Sequence, residues 1–331
     1  MLNKDTHLNP HIFSDDIERA PTRDGFGRGA VEAGKENENV VVVCADLADS
    51  TRAQWFKDEF PKRYIEIGVA EQNLATVASG LSAVGKIPFI TSYAAFNPGR
   101  NYEQIRTTIA LNNRPVKVCG MHAGVSVGPD GATHQMLEDI GLMRMLPHMV
   151  VVVPADAEEA RKATFEASKN DRPTYLRFGR EKTPTMTTAE TPFEIGKAYY
   201  MWSDPNKTPD ATIIGIGSLL YGALEAAHTL SKEGIAVDVI NSHTVKPLDV
   251  ETIVEAGKRS GAIVTVEEHQ AHGGFGSLVA ETMATHHPLP IEMVAVQDKF
   301  GQSGSPEELL KHYQLDKDAI VSAVRKVVKR K

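Results

Sequence analysis

The sequence predicts two layered α/β domains in series, the second smaller than the first. Three observations carry this expectation. Short Val- and Ile-rich runs alternate with longer helix-compatible segments through most of the chain. One polar, Thr- and Pro-rich passage interrupts that rhythm, which then resumes. At 331 residues the chain is long enough for two hydrophobic cores, and its 41% hydrophobic and 24% charged residues are ordinary for a folded soluble protein.

Residues 1–20 read as an irregular arm. Thr22 is placed to cap a helix carrying Phe26, Ala30, Val31 and Ala33, which the polar KENEN stretch ends. NVVVVCAD (39–46) is the kind of continuous apolar run found at the buried centre of a parallel sheet. Further strands are expected at 64–67, 87–91, 116–120, 150–153 and 174–178, with helices at 73–84, 101–111 and 157–168. The interrupting passage, REKTPTMTTAETPFEIG (180–196), reads as a link. With the linker proper at 186–195, it divides a first domain at 21–185 from a second at 196–331. In the second, strands are expected at 211–217, 236–242, 262–269 and 291–296. Helices are expected at 222–233, from near Asp249, and at 275–285.

The composition narrows the function classes. Cys44 and Cys119, each inside an apolar run, argue against a disulfide scaffold or a cysteine-built metal site. The opening residues are polar and no run approaches the ~20 apolar residues needed to cross a bilayer. A cytoplasmic protein without membrane contact is the expectation. The net charge is −7 and the one basic stretch, VRKVVKRK, reads as a solvated helix end, so no nucleic-acid partner is expected.

In parallel sheets ligands gather beyond the carboxyl ends of the strands. Asp46, Glu71, Tyr93, Phe96 and His122 all fall at such ends. The plain reading of Glu71 is a first-turn acid favoured by the helix dipole. The functional reading needs burial, which raises a carboxylate's pKa and lets it hold or donate a proton near neutrality. GMHAGVSVGPDGATHQMLED (120–139) combines glycines that permit close backbone approach with two histidines and several acids. His122, Asp130 and His134 lack the compact spacing of a metal site, and no metal ligand is assigned to this chain. GxxxxGK[ST] and a strand-linked GxGxxG are both absent. Arg23, Arg100, Arg106 and Arg180 are each able to clamp a phosphate, although most arginines merely face solvent. EEHQAHGGFGSLVAE (267–281) reads equally as a tight packing turn or an anion-friendly one.

Taken together, ADLADST, FPKRYIEIGVAEQN, GKIPFITSYAAF, YEQIR, HAGVSVGPDGATHQMLED, VKPLD, EEHQAHGGFGS and FGQSG, in this order, closely resemble the carboxyl-terminal half of transketolase. They resemble still more the separate second subunit of split bacterial transketolases. The resemblance runs from about Thr22 to the end. It implies a three-layer pyrimidine-binding domain followed by the smaller transketolase C-terminal domain. The implied cofactor is thiamine diphosphate with Mg2+ or another divalent cation. No GDG motif for holding diphosphate and metal occurs here. The resemblance therefore implies an N-terminal partner subunit that carries them, self-association with it into an α2β2 assembly, and sugar phosphates as substrates.

By the same resemblance, Glu71 activates the aminopyrimidine by hydrogen-bonding its ring nitrogen, while Tyr93 and Phe96 surround the ring. His134 lies near the transferring carbon fragment and Asp130 meets a substrate hydroxyl. Arg23, Ser50, His122 and Arg180 hold the sugar phosphate. A third aromatic common in transketolases falls at Gly99, so that part of the wall is left to Tyr102 or the partner. The implied reaction moves a two-carbon ketol unit from a ketose phosphate to an aldose phosphate. The rival readings are a split transketolase for an unusual sugar phosphate, a deoxyxylulose-phosphate synthase-like enzyme, a 2-oxo acid dehydrogenase beta subunit and a non-catalytic assembly protein.

Overall fold

A computed structural model describes residues 1–331. The first half forms β1 (Arg19–Pro21), α1 (Thr22–Glu36), β2 (Val40–Cys44), α2 (Ala48–Thr51), α3 (Ala53–Glu59), β3 (Tyr64–Glu66), α4 (Glu71–Ala83), β4 (Ile87–Tyr93), α5 (Tyr102–Gln104), β5 (Lys117–Met121), α6 (Asp139–Met145), β6 (Val150–Val152), α7 (Ala157–Ala167), β7 (Thr174–Arg177) and β8 (Lys182–Pro184). The second half forms β9 (Tyr199–Trp202), β10 (Ala211–Gly215), α8 (Leu220–Lys232), β11 (Val237–Asn241), β12 (Thr244–Lys246), α9 (Val250–Ser260), β13 (Ile263–Gln270), α10 (Phe275–His286), β14 (Ile291–Val296), α11 (Pro306–His312) and α12 (Lys317–Val328).

Seven strands in the order β12-β6-β7-β5-β4-β2-β3 make the first sheet. All its pairings are parallel except β12 against β6. Successive side chains of a strand point to opposite faces, and the core divides accordingly. Val40, Val42 and Cys44 pack with Phe26 of α1, Phe56 of α3 and Ala160 of α7. Val43 packs with Leu74, Ala75 and Ala78 of α4 on the other side. Helices α1 and α7 approach closely because two glycines of α1 carry no Cβ. At Gly25 a Cβ would lie 2.1 Å from the Ala157 carbonyl oxygen, and at Gly29 2.5 Å from that of Arg161.

The second sheet has the order β14-β13-β10-β11-β9, parallel apart from its edge strand β9. Asp249 caps α9 by accepting the Thr252 N–H, and Gly261, at φ 70°, ends it in the left-handed conformation. No helix is long and apolar enough to cross a membrane.

Several expectations need correction. Thr22 is the first residue of α1, not a side-chain cap; its hydroxyl instead accepts the Gly179 N–H at 2.7 Å. The helix expected over 101–111 is a short α-turn leading into a π-helix at Ile105–Ala110. The arm is irregular, yet Ile12 and Ile17 are buried in the second domain's core and Phe13 stacks on His228 at 4.7 Å. The polar passage after Arg180 contains β8, which pairs antiparallel with β1. Further along, Asp156 accepts the Met186 and Thr187 N–H groups at 2.7 and 2.6 Å. Strand β12 leaves the second domain to extend the first sheet, a crossing with no local signal in TVK. One apolar cluster also runs through both domains, joining Val151 and Ile140 to Ile214, Ile253 and Phe275.

Candidate functional site

The site begins with the turn between β3 and α4. Glu66, at the end of β3, accepts the N–H groups of Asp46 at 2.8 Å and Gly68 at 2.9 Å, and the Tyr64 hydroxyl at 2.5 Å. Gly68, at φ 77°, supplies the left-handed step that this turn requires. The chain then enters α4 at Glu71, which is 2% exposed. Its carboxylate accepts from Ser92 Oγ at 3.1 Å and Arg100 Nη1 at 2.7 Å. Asn101 Nδ2 donates to the Glu71 carbonyl at 2.9 Å and to Asn97 Oδ1 at 3.0 Å. Asn97 in turn donates to the carbonyls of Ile90 and Cys119. Two neighbouring strands and the following loop therefore fix one carboxylate.

Beside it lies an aromatic group. Tyr93, closing β4, stacks on His122 at 4.1 Å and lies 6.2 Å from Phe96. His134 meets Phe96 edge-on at 5.4 Å and Tyr93 at 6.0 Å. Arg100 lies over the Phe96 face at 4.4 Å, so one guanidinium touches both the ring and Glu71. Gly99 cannot carry a further ring in this backbone, because a Cβ there would stand 2.2 Å from the Ala95 carbonyl oxygen. Tyr102 does not fill the gap; it packs against the apolar cluster beneath α4.

A cationic group adjoins the rings. Arg23 Nη1 donates to the Ser50 carbonyl at 2.8 Å and meets His122 Nε2 at 2.9 Å. A guanidinium only donates, so Nε2 accepts and a neutral ring carries its proton at Nδ1. Burial pushes His122 down to about 3, helped by the charges of Arg23 and Arg180. Arg23 Nε is buried without a protein acceptor, the kind of donor that a bound anion would satisfy. Arg180 donates to the Val127 carbonyl at 2.9 Å and lies 3.6 Å from Asp130. Arg106 is exposed on the π-helical turn.

The strand ends thus bring Glu71, Tyr93, Phe96, His122 and His134 together, with Arg23, Ser50, Arg180 and Asp130 alongside. Sequence reading missed what supports them. Ser92, Asn97 and Asn101 carry no recognisable spacing, and Arg100 was considered only as a phosphate clamp. It also missed the buried set beneath the loop. There Asp139 accepts from Tyr175 Oη at 2.6 Å and from Arg177 Nε at 2.7 Å. Burial alone would raise the Asp139 carboxyl, but Arg177 and the hydrogen bonds around it hold it below the ordinary range. A cleft of about 1140 Å3 lies elsewhere, between the arm and the two domains; it reaches Thr22 and Ser126 but none of the aromatic group.

Fold and site together define an α/β protein with a polar and aromatic candidate site at the strand ends of its first domain. The signature of the transketolase pyrimidine binding domain matches residues 18–186, and that of the transketolase C-terminal domain matches residues 203–320. The chain belongs to the transketolase family. It is 39% identical to a Methanocaldococcus jannaschii protein named for a transketolase C-terminal section, over 93% of this chain and 96% of that one. It is 34% identical to the 6-deoxy-6-sulfo-D-fructose transketolase subunit SqwH of a Clostridium species, over 96% and 98% of the two chains. A solved structure described as a split gene transketolase, inactive beta4 tetramer, superposes with a TM-score of 0.87 at 42% identity, covering 94% of this chain and 99% of that one. Against the transketolase of Homo sapiens, the match spans only 49% of the longer protein.

Proposed function

We propose that this chain is the second subunit of a split, thiamine diphosphate-dependent transketolase, moving a two-carbon ketol unit between sugar phosphates. The observation that carries the reading is the Arg100 guanidinium, placed over the Phe96 ring while donating to the buried Glu71 carboxylate. A planar, nitrogen-bearing group is what an aminopyrimidine ring also presents, so the residues fit the cofactor's ring. When bound, thiamine diphosphate would supply the electron sink for breaking and remaking the carbon–carbon bond. Glu71 would hold the ring nitrogen and its proton, and Tyr93 and Phe96 would flank the ring.

Arg23, His122 and Arg180 would receive the substrate phosphate, with the Ser50 carbonyl orienting Arg23. Asp130 and His134 would meet the sugar hydroxyls and the transferring fragment; a site built to pair a hydroxyl rejects analogues that lack it. The diphosphate and Mg2+ would be held by an N-terminal partner subunit, in an α2β2 assembly. The solved relative described as an inactive beta4 tetramer supports that dependence.

The sugar is the open variable. Relatives of nearly the same length are named for 6-deoxy-6-sulfo-D-fructose and for apulose-4-phosphate. The test combines this chain, its candidate partner, thiamine diphosphate and Mg2+, and measures ketol transfer from xylulose 5-phosphate to ribose 5-phosphate, with other donors in parallel. Activity only in the mixture supports the proposal. A mixture that binds cofactor but turns over no donor refutes it.

A further inference from the structure

The loop that carries His122, Asp130 and His134 belongs to the first domain, but its shape is set from the second. Glu268, on β13, is buried. Its two oxygens accept the Ser126 N–H at 2.5 Å and the Ser126 hydroxyl at 3.1 Å. The space is available only because residue 124 is glycine, where a Cβ would come 2.4 Å from the Glu268 carboxylate. The carbonyl of the same residue accepts Arg177 Nη2 at 2.9 Å. Arg177 also donates to the Met136 carbonyl at 3.3 Å and pairs with Asp139 at 2.7 Å. Glu268 thus ties down the start of the loop with its side chain and the end of it through Arg177.

Two other contacts follow the same pattern. Gln135 Nε2 donates to Val125, to Gly128 and, across the domains, to the Gln302 carbonyl at 2.9 Å. A Cβ at Gly131 would stand 2.7 Å from Ser303 Oγ. The fixed Ser126 turn aims the Val127 carbonyl at Arg180, which faces Asp130.

We infer that Glu268 is a positioning residue: through Ser126 and Arg177 it lets the C-terminal domain set the geometry of the sugar-phosphate loop, residues 122–136. Its part in substrate binding rests on the transketolase reading; its part in loop geometry does not. Burial raises the Glu268 carboxyl above the ordinary range, and Arg177 and the Ser126 hydrogen bonds oppose that rise only in part.

The experiment compares wild type with Glu268→Ala, Glu268→Gln and Ser126→Ala. Amide hydrogen exchange is followed on the full chain, and KM and kcat on the complex with its partner. Glu268→Ala should speed exchange over 123–136 by about tenfold or more while other segments keep their rates. In the complex it should raise KM for phosphorylated sugars by about tenfold, with a smaller change in kcat and unchanged cofactor affinity. Glu268→Gln, which keeps one acceptor and lets the serine hydroxyl turn to accept from the amide, should restore most of both; Ser126→Ala should fall between. Unchanged exchange in 123–136 would overturn the inference, as would faster exchange with unaltered KM. A wild-type complex that transfers no ketol unit would instead sink the transketolase reading, and the exchange result would still decide whether Glu268 shapes the loop.

Discussion

Glu71 offers the sharpest separation of function from stability, because its surroundings allow the two costs to be worked out independently. In Glu71→Ala the buried Ser92 hydroxyl loses its acceptor, an unmet buried donor that costs about 1–3 kcal/mol. Arg100 loses its partner too, but its side chain is 47% exposed and can turn into water, so its share is that of an exposed pair, about 0–1 kcal/mol. Removing a buried carboxylate also removes its desolvation cost, which offsets part of both. The net loss is about 1–2 kcal/mol. Activity should respond on another scale: under the proposed role of Glu71 at the ring nitrogen, loss of the proton-managing group costs about 10²–10⁴-fold in kcat. Urea unfolding followed by the fluorescence of Trp55 in a Trp202→Phe background reports the first domain, and ketol transfer in the reconstituted complex reports the chemistry. A stability loss above about 3 kcal/mol would show that the carboxylate is chiefly structural. Activity within about threefold of wild type would refute its place in the reaction.

The other predictions draw on neighbouring groups. Asp139→Ala leaves Arg177 buried and unpaired and should destabilise by about 3–5 kcal/mol, measured by the same urea titration. His122 and His243 are both held down to about 3, His243 by burial alone. The unfolded chain then binds more protons than the folded one between about pH 6.5 and 3, so their contribution to stability is present above about pH 6.5 and is lost as pH falls. Urea midpoints at pH 7.5, 6.0 and 5.0 should decline less steeply in His243→Met than in wild type, and parallel slopes would count against this account. Gly99→Tyr should weaken cofactor binding by the complex, measured calorimetrically, rather than complete an aromatic wall, because the Ala95 carbonyl occupies the path of the new side chain.

What could be read from the sequence follows a physical divide. Strand β2 was legible because a strand buried on both faces must be apolar at every position, and VVVVC is. The strand-end positions of Glu71, Tyr93, Phe96 and His122 were legible because strand ends are local features. The support around them is non-local. Ser92 reaches Glu71 across 21 positions and Asn101 across 30, through contacts that have no period in the chain. Glu268 meets Ser126 across 142 positions. EEHQAHGG showed only a glycine turn before a helix, and that reading is sound for Glu267, which accepts the Phe275 and Gly276 N–H groups. Its neighbour points the other way along the same strand, because β13 alternates its side chains. One carboxylate therefore serves α10 within its own domain, while the next crosses to Ser126 in the first domain's loop. How the linker is fastened was hidden for a related reason. Its Thr and Pro residues signal a polar surface passage, but the buried Asp156 at the start of α7 gathers the backbone of Met186 and Thr187 into the seam. Together with β12 lying in the first sheet and the apolar cluster shared by both domains, this makes the second domain part of the scaffold of the site. A substitution on β13 is then expected to reach the loop of residues 122–136 without touching Glu71, Tyr93 or Phe96, the residues proposed to hold the cofactor ring.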